Sequence, residues 1–228
     1  MRTWDLRIVF DGIYYACGLT LLGLACSYFI NPWAGTLLYV LAAFCLFFFR
    51  DPERAIPTGD VLVAPADGKI VCILETGPNE TRVSIFLNIF DVHVNRTPIA
   101  GSVAAVVYQK GKFHVASHEA ASSENEQNTL VIEGRGTRVV CRQIAGLIAR
   151  RIICYKRAGD AVGPGERIGY IKFGSRVDVF FGPEWKTAVK VGDRVSAGSS
   201  ILANRGGCIS EKSGECRQWM EMKTEEMV

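Results

Sequence analysis

The chain has 228 residues and a mass of 25.0 kDa, and its 26 Lys+Arg against 23 Asp+Glu leave a formal charge of only +3. Hydrophobic residues at 49% and a mean hydropathy of +0.16 exclude an intrinsically disordered protein, and they point to a part of the chain outside water. No basic run is longer than Arg150-Arg151, which speaks against a nucleic-acid partner.

The uncharged stretch from Gly12 to Phe49 is far longer than a soluble core helix uses, and Asn31-Pro32 divides it into apolar runs at 13–30 and 33–49. A helical membrane hairpin over residues 1–50 is the expectation. A secretory signal would have one short apolar core rather than two in succession. Arg2 and Arg7 precede the stretch and Arg50 and Arg54 follow it, so the positive-inside rule places both ends, and the rest of the chain, on the cytoplasmic face of the cell membrane. Each run is short, so a double crossing and a re-entrant hairpin both remain open.

From Val61 onward short Val- and Ile-rich runs alternate with Gly, Pro, Asn and Asp, which predicts a mainly β body, barrel- or sandwich-like, over residues 51–204. A polar, uneven stretch at 116–128 is its one helix-like interruption. The eight cysteines form no C-x-x-C pair, so no zinc or other metal site is expected, and they read as small buried hydrophobes in a reducing compartment. The tail at 205–228 is polar and without period, and is expected to be mobile.

A repeat lies late in the chain. Gly159-Asp160-x-Val162-x-x-Gly165-x-x-Ile168 returns 33 residues later as Gly192-Asp193-x-Val195-x-x-Gly198-x-x-Ile201. Each copy reads as strand, glycine turn, strand, with an apolar face that needs a partner. Such units resemble the hammerhead strands of biotinyl and lipoyl carrier domains. Lys172 and Lys186 between the copies lack the sequence setting of a modified lysine.

Between the copies, residues 168–181 alternate as one strand, with Ile171, Phe173, Val177, Val179 and Phe181 on one face and Ser175 of the same parity. A serine there would ordinarily be a small filler, but Gly174 before it permits backbone geometries closed to other residues. A reactive serine needs a base. His93 stands at a strand end in a polar turn, whereas His114 and His118 lie in a polar stretch and read as solvated. Asp67, before Gly68, has an ordinary Asp-Gly hairpin bend as its plain reading. Asp67, His93 and Ser175 could serve a triad, which is defined by geometry and roles. A membrane-tethered serine hydrolase and a carrier-like scaffold are the alternatives the residues leave open.

The motifs taken together resemble the short, bacterial and archaeal-type phosphatidylserine decarboxylases. The matching pieces are Phe-Arg-Asp-Pro-Glu-Arg at 49–54, Val-Ala-Pro-Ala-Asp-Gly-Lys-Ile at 63–70, the run at 86–98 that ends Asp-Val-His-Val-Asn-Arg-Thr-Pro, Gly-Lys-Phe at 111–113, Ser-Glu-Asn-Glu at 123–126, residues 143–151, and Phe-Gly-Ser-Arg-Val-Asp at 173–178. The resemblance implies self-cleavage between Gly174 and Ser175 into a β subunit and an α subunit, with Asp67 orienting His93 as the base. It further implies a pyruvoyl group made from Ser175, which forms a Schiff base with phosphatidylserine of the bilayer and yields phosphatidylethanolamine and CO2, His93 also donating a proton. Longer relatives carry Leu-Gly-Ser-Thr at the cleavage point and a second His where this chain has Arg96. Arg96, with Arg176 and Lys112, is a candidate for the substrate's anionic groups. A homo-oligomer is compatible with the sequence.

Overall fold

The computed structural model describes residues 6–77, 79–112, 124–146, 151–172 and 175–206. The chain divides into a unit ending at Glu53 and a body beginning at Arg54.

In the first unit, β1 (Leu6–Ile8) leads into helix α1 (Phe10–Phe29), a bend, helix α2 (Thr36–Phe48) and β2 (Arg50–Pro52). The two strands pair antiparallel, Leu6 with Pro52 and Ile8 with Arg50, and so close the base of the hairpin. Glycines let the helices approach. A Cβ on Gly35 would collide with the Gly23 carbonyl, and one on Gly23 would press into the Tyr39 ring. At 20 residues α1 is long and apolar enough to cross a hydrocarbon core, whereas α2, with 13 residues, reaches only about 20 Å. Arg50 stops α2, donating to the Phe47 carbonyl at 2.7 Å where the helix C-terminus favours a cation.

The body is all strand, as expected: β3 (Val61–Val63), β4 (Gly68–Gly77), β5 (Glu80–Leu87), β6 (Val94–Arg96), β7 (Gly101–Gln109), β8 (Gln127–Gly134), β9 (Thr137–Ile144), β10 (Ile152–Cys154), β11 (Ala161–Val162), β12 (Arg167–Ile171), β13 (Ser175–Phe181), β14 (Trp185–Thr187), β15 (Arg194–Val195) and β16 (Ile201–Arg205). An eight-stranded antiparallel sheet runs β11-β7-β8-β9-β13-β5-β4-β15, and three-stranded sheets run β10-β12-β6 and β14-β16-β3. One cluster of buried apolar side chains, from Leu62 to Ala203, joins the sheets.

These strands form two interleaved copies of one unit, related by an internal twofold. One copy is β6 to β12 in unbroken order. The other is β3, β4 and β5, then, after the first copy has been inserted, β13, β14, β15 and β16. The registers repeat: Ala161 and Val162 face Ser102 and Gly101, as Arg194 and Val195 face Lys69 and Gly68. The main-chain bonds repeat too. Val63 N–H reaches Pro98 O and Arg96 N–H reaches Pro65 O, at 2.9 and 2.8 Å; Gly165 N–H reaches Thr97 O and Gly198 N–H reaches Ala64 O, at 2.9 and 2.8 Å. Gly165 and Gly198 have φ of +67° and +75°, which only glycine adopts readily, and they approach each other at the axis. The late repeat is therefore half of a larger one.

Three expectations change. The strand predicted over 168–181 is two strands in two sheets, because the chain leaves β12 at Ile171 and enters β13 at Ser175. Asp67-Gly68 is not a hairpin bend, since β3 pairs with β16 and β4 with β5 and β15. Cys72 is disulfide-bonded, while Cys17, Cys26, Cys45, Cys141 and Cys154 are free. Of the helix-like stretch at 116–128, residues 116–123 lie outside the described residues and Gln127 and Asn128 open β8. The tail lies outside them from residue 207.

Candidate active site

Ser175 opens β13, a strand buried along its whole length and flanked by β5 and β9. It faces Leu87, is fully buried, and its Oγ has no hydrogen-bond partner among the described residues. A buried hydroxyl without a partner is uncommon, because desolvation then goes uncompensated. The internal twofold supplies a control. Thr137 faces Gly134 at the start of β9 as Ser175 faces Leu87, yet the Thr137 hydroxyl accepts from Trp185 Nε1 at 2.9 Å and donates to Glu184.

His93 is buried just before β6, its carbonyl 3.4 Å from the Ile171 amide. Its Nδ1 lies 2.9 Å from the Asp91 main-chain oxygen. In a neutral ring that contact makes Nδ1 the N–H and leaves Nε2 the basic nitrogen. The Asp91 turn is itself fastened: its carboxylate accepts from Asn88 N–H at 2.8 Å and pairs with Arg194 at 3.2 Å.

Asp67 lies between β3 and β4. One guanidinium nitrogen of Arg54 reaches both its oxygens, at 3.0 and 2.7 Å, and Ala197 N–H adds a bond of 2.7 Å. Among the described residues none of its hydrogen bonds goes to His93. The ring is oriented at Nδ1 by a main-chain carbonyl, where the sequence had suggested Asp67. Burial pushes the Asp67 carboxyl above its ordinary range, with the Asp91 charge a smaller push the same way, while Arg54 and the Ala197 amide pull it down.

Among the described residues no hydrogen bond or ion pair joins Asp67, His93 and Ser175, but each has a twofold counterpart. At the twofold-related place a cavity between the two copies is lined by Asp60, Ala100, Thr137 and Pro164, with Gly134, Trp185 and Arg205. The axis carries these positions onto His93, Asp67, Ser175 and Ala197, with Leu87, Ile152 and Ile171. The equivalence of Asp60 and His93 is visible in the backbone, where Arg205 N–H reaches Asp60 O at 3.1 Å as Ile171 N–H reaches His93 O at 3.4 Å. Where that cavity has Trp185 and Arg205, the equivalent positions hold Ile152 and Ile171.

The other sequence candidates have different surroundings. Arg96 is buried and donates to the Gly165 carbonyl at 3.0 Å. Arg176 is fully buried on the opposite face of β13 from Ser175, its Nε 2.6 Å from Asp178 and its Nη2 2.8 Å from Ser84. Lys112 is exposed and pairs with Glu124 at 3.0 Å. Gly174, His114 and His118 lie outside the described residues.

Sequence reasoning missed a buried amide chain beside Ser175. Asn128 Nδ2 donates to Gln143 Oε1 at 3.0 Å and Gln143 Nε2 to Asn95 Oδ1 at 2.8 Å, while Gln143 faces Val177 two positions along from Ser175. It missed Arg54 as well. Only the parity of Gln143 and the short step from His93 to Asn95 could have marked the amides.

Residues 41–203 match the family model described as phosphatidylserine decarboxylase. A protein of Solibacter usitatus (strain Ellin6076) named phosphatidylserine decarboxylase proenzyme is 56% identical over 200 residues, covering 88% of this chain and 98% of that one. A protein of the same name from Citrifermentans bemidjiense is 43% identical over 218 residues, covering 89% and 98%.

Proposed function

The chain belongs to the phosphatidylserine decarboxylase family, an enzyme family, and from that premise we propose that it matures by cutting itself before Ser175 and then converts phosphatidylserine to phosphatidylethanolamine and CO2 at the new end. The observation that carries the reading is the buried Ser175 Oγ without a partner among the described residues, set against the bonded Thr137 hydroxyl at the equivalent place. A hydroxyl left unbonded at a strand's first residue is available to react with the peptide bond just before it. Family membership sets aside the hydrolase and carrier alternatives.

The first stage uses this chain's own groups. His93 Nε2 takes the Ser175 proton, and Oγ attacks the carbonyl carbon of residue 174. The C–N bond breaks, the proton passes to the departing amine, and an ester remains. Loss of a proton from the Ser175 α-carbon expels the residue-174 carboxylate and leaves dehydroalanine, which water converts to a ketone with release of ammonia. Asp67 acts as a fixed negative charge that favours the imidazolium. The pyruvoyl group so made from Ser175 supplies an electron sink for the electron pair freed when CO2 departs. Leu87, which faces Ser175 across the β5–β13 register, gives it an apolar neighbour, and apolar surroundings are where a carboxylate is least at ease. His93 remains as the proton source for the product.

Scission would not loosen the fold. β13 is hydrogen-bonded along both edges, to β5 and to β9, and β15 and β16 are held by β4 and β3. The two products thus stay together as β and α subunits. The exposed apolar side chains of the hairpin, Phe10, Tyr14, Leu21, Phe29 and Trp33 among them, support seating in the bilayer that holds the substrate, with the body on the cytoplasmic face. Ser175→Ala should give one uncut chain that releases no CO2 from carboxyl-labelled phosphatidylserine; labelled CO2 from that variant would refute the reading.

A further inference from the structure

Asp67 is held in a way the fold does not require. Its partner across the twofold is Ala100, and the twofold partner of Ala197, the amide that donates to Asp67, is Pro164, which has no N–H. Both copies nevertheless close their turns with the same registers. A carboxylate at this turn therefore serves something other than folding. Arg54 is the first residue of the body, precedes both copies of the repeat, and has no twofold counterpart. It reaches across 13 residues to place one nitrogen against both Asp67 oxygens, with 14% of each side chain exposed.

We infer that Arg54 is a positioning residue for self-cleavage, fixing the Asp67 carboxylate and keeping it ionised. The inference rests on the role proposed above for Asp67. Three ionic groups bear on that carboxylate. Arg54 favours its charged form, Asp91 opposes it, and Arg194 draws Asp91 toward itself at 3.2 Å. Lys69, two residues on, faces Arg194 across the β4–β15 register. Arg54 is the one cation bonded directly to Asp67 among the described residues. Without it, burial and Asp91 act against the Ala197 amide alone, so Asp67 protonates at a higher pH. If cleavage needs the ionised form, its rate falls as pH drops through the Asp67 pKa, and losing Arg54 moves that fall upward.

The test pulse-labels the full chain in cell-free translation with lipid vesicles, moves it to buffers from about pH 5 to pH 9, and follows conversion to two pieces on a denaturing gel. Arg54→Gln should move the acidic limb up by about one pH unit, slowing cleavage about tenfold on that limb, while the high-pH plateau stays near wild type. Arg54→Lys should fall between the two. A wild-type limb in Arg54→Gln overturns the proposal. If Arg54→Gln is slow at every pH, substantial recovery by Arg54→Lys supports it, and equal slowness in both overturns it. Asp67→Asn run alongside separates the two levels: if it cleaves normally, the reading of Asp67 falls and takes the proposal with it. If it is inert while Arg54→Gln keeps the wild-type curve, the proposal alone falls.

Discussion

The two copies within the body share backbone and differ in chemistry. At the start of β9 the hydroxyl is Thr137, bonded to Trp185 and Glu184. At the start of β13 it is Ser175, buried without a partner among the described residues. Ala100 and Pro164 stand where Asp67 and Ala197 meet, and Asp60 stands where His93 does. β8 and β9 are joined through the turn at Arg135 and Gly136, whereas their equivalents β5 and β13 are separated by the whole of the other copy. The proposed cut falls where the interrupted copy resumes. Each site draws on both copies, and the two sites thus share a backbone while carrying different side chains.

Substitutions at the two twofold-related sites test that contrast. His93→Ala should leave the chain uncut on a denaturing gel, whereas Thr137→Val should cleave as wild type; failure of both to cleave would mean the two sites are not functionally distinct. Next in size is Asp178→Ala, which removes the carboxylate paired with the buried Arg176 and should cost about 3–5 kcal/mol in denaturant unfolding. Thr137→Val, stripping Trp185 of its acceptor, should cost about 1–3 kcal/mol in the same experiment, so a larger loss there than at Asp178 would reverse the ranking. The smallest effect concerns the hairpin. Deleting residues 1–49 keeps Arg54 and should leave a body that folds and cleaves but acts on vesicle-borne phosphatidylserine slower by on the order of tenfold, with short-chain soluble lipid restoring the rate. Full activity on vesicles would deny the hairpin a role in reaching substrate.

Much of this was legible in the residues, for physical reasons that differ by region. The hairpin declared itself because lipid-compatible sequence tolerates no charge over the 38 positions from Gly12 to Phe49. The late repeat was visible because turns at positive φ admit few residues other than glycine, as at Gly165 and Gly198. The earlier half stayed hidden, since residues 64–68 and 97–101 share only a proline and a glycine at equivalent places, and their backbones are defined by bonds to distant strands. The change of sheet between Ile171 and Ser175 was hidden for another reason. β12 is mostly buried and β13 wholly so, and apolar alternation passes through the junction without a break. Ser175, His93 and Asp67 could be named from motifs. That Arg54 holds Asp67 and the Asp91 carbonyl holds His93 could not, because neither contact leaves a local pattern.

The central claim is that the residue at 175 is no longer a serine in the working enzyme, and an intact-mass spectrum of the purified wild-type protein tests it most directly. The account predicts two species, the smaller beginning at residue 175 and about 17 mass units, one ammonia, lighter than a serine-initiated peptide of the same length. A single 25.0 kDa species from a preparation that still releases CO2 from phosphatidylserine would contradict it.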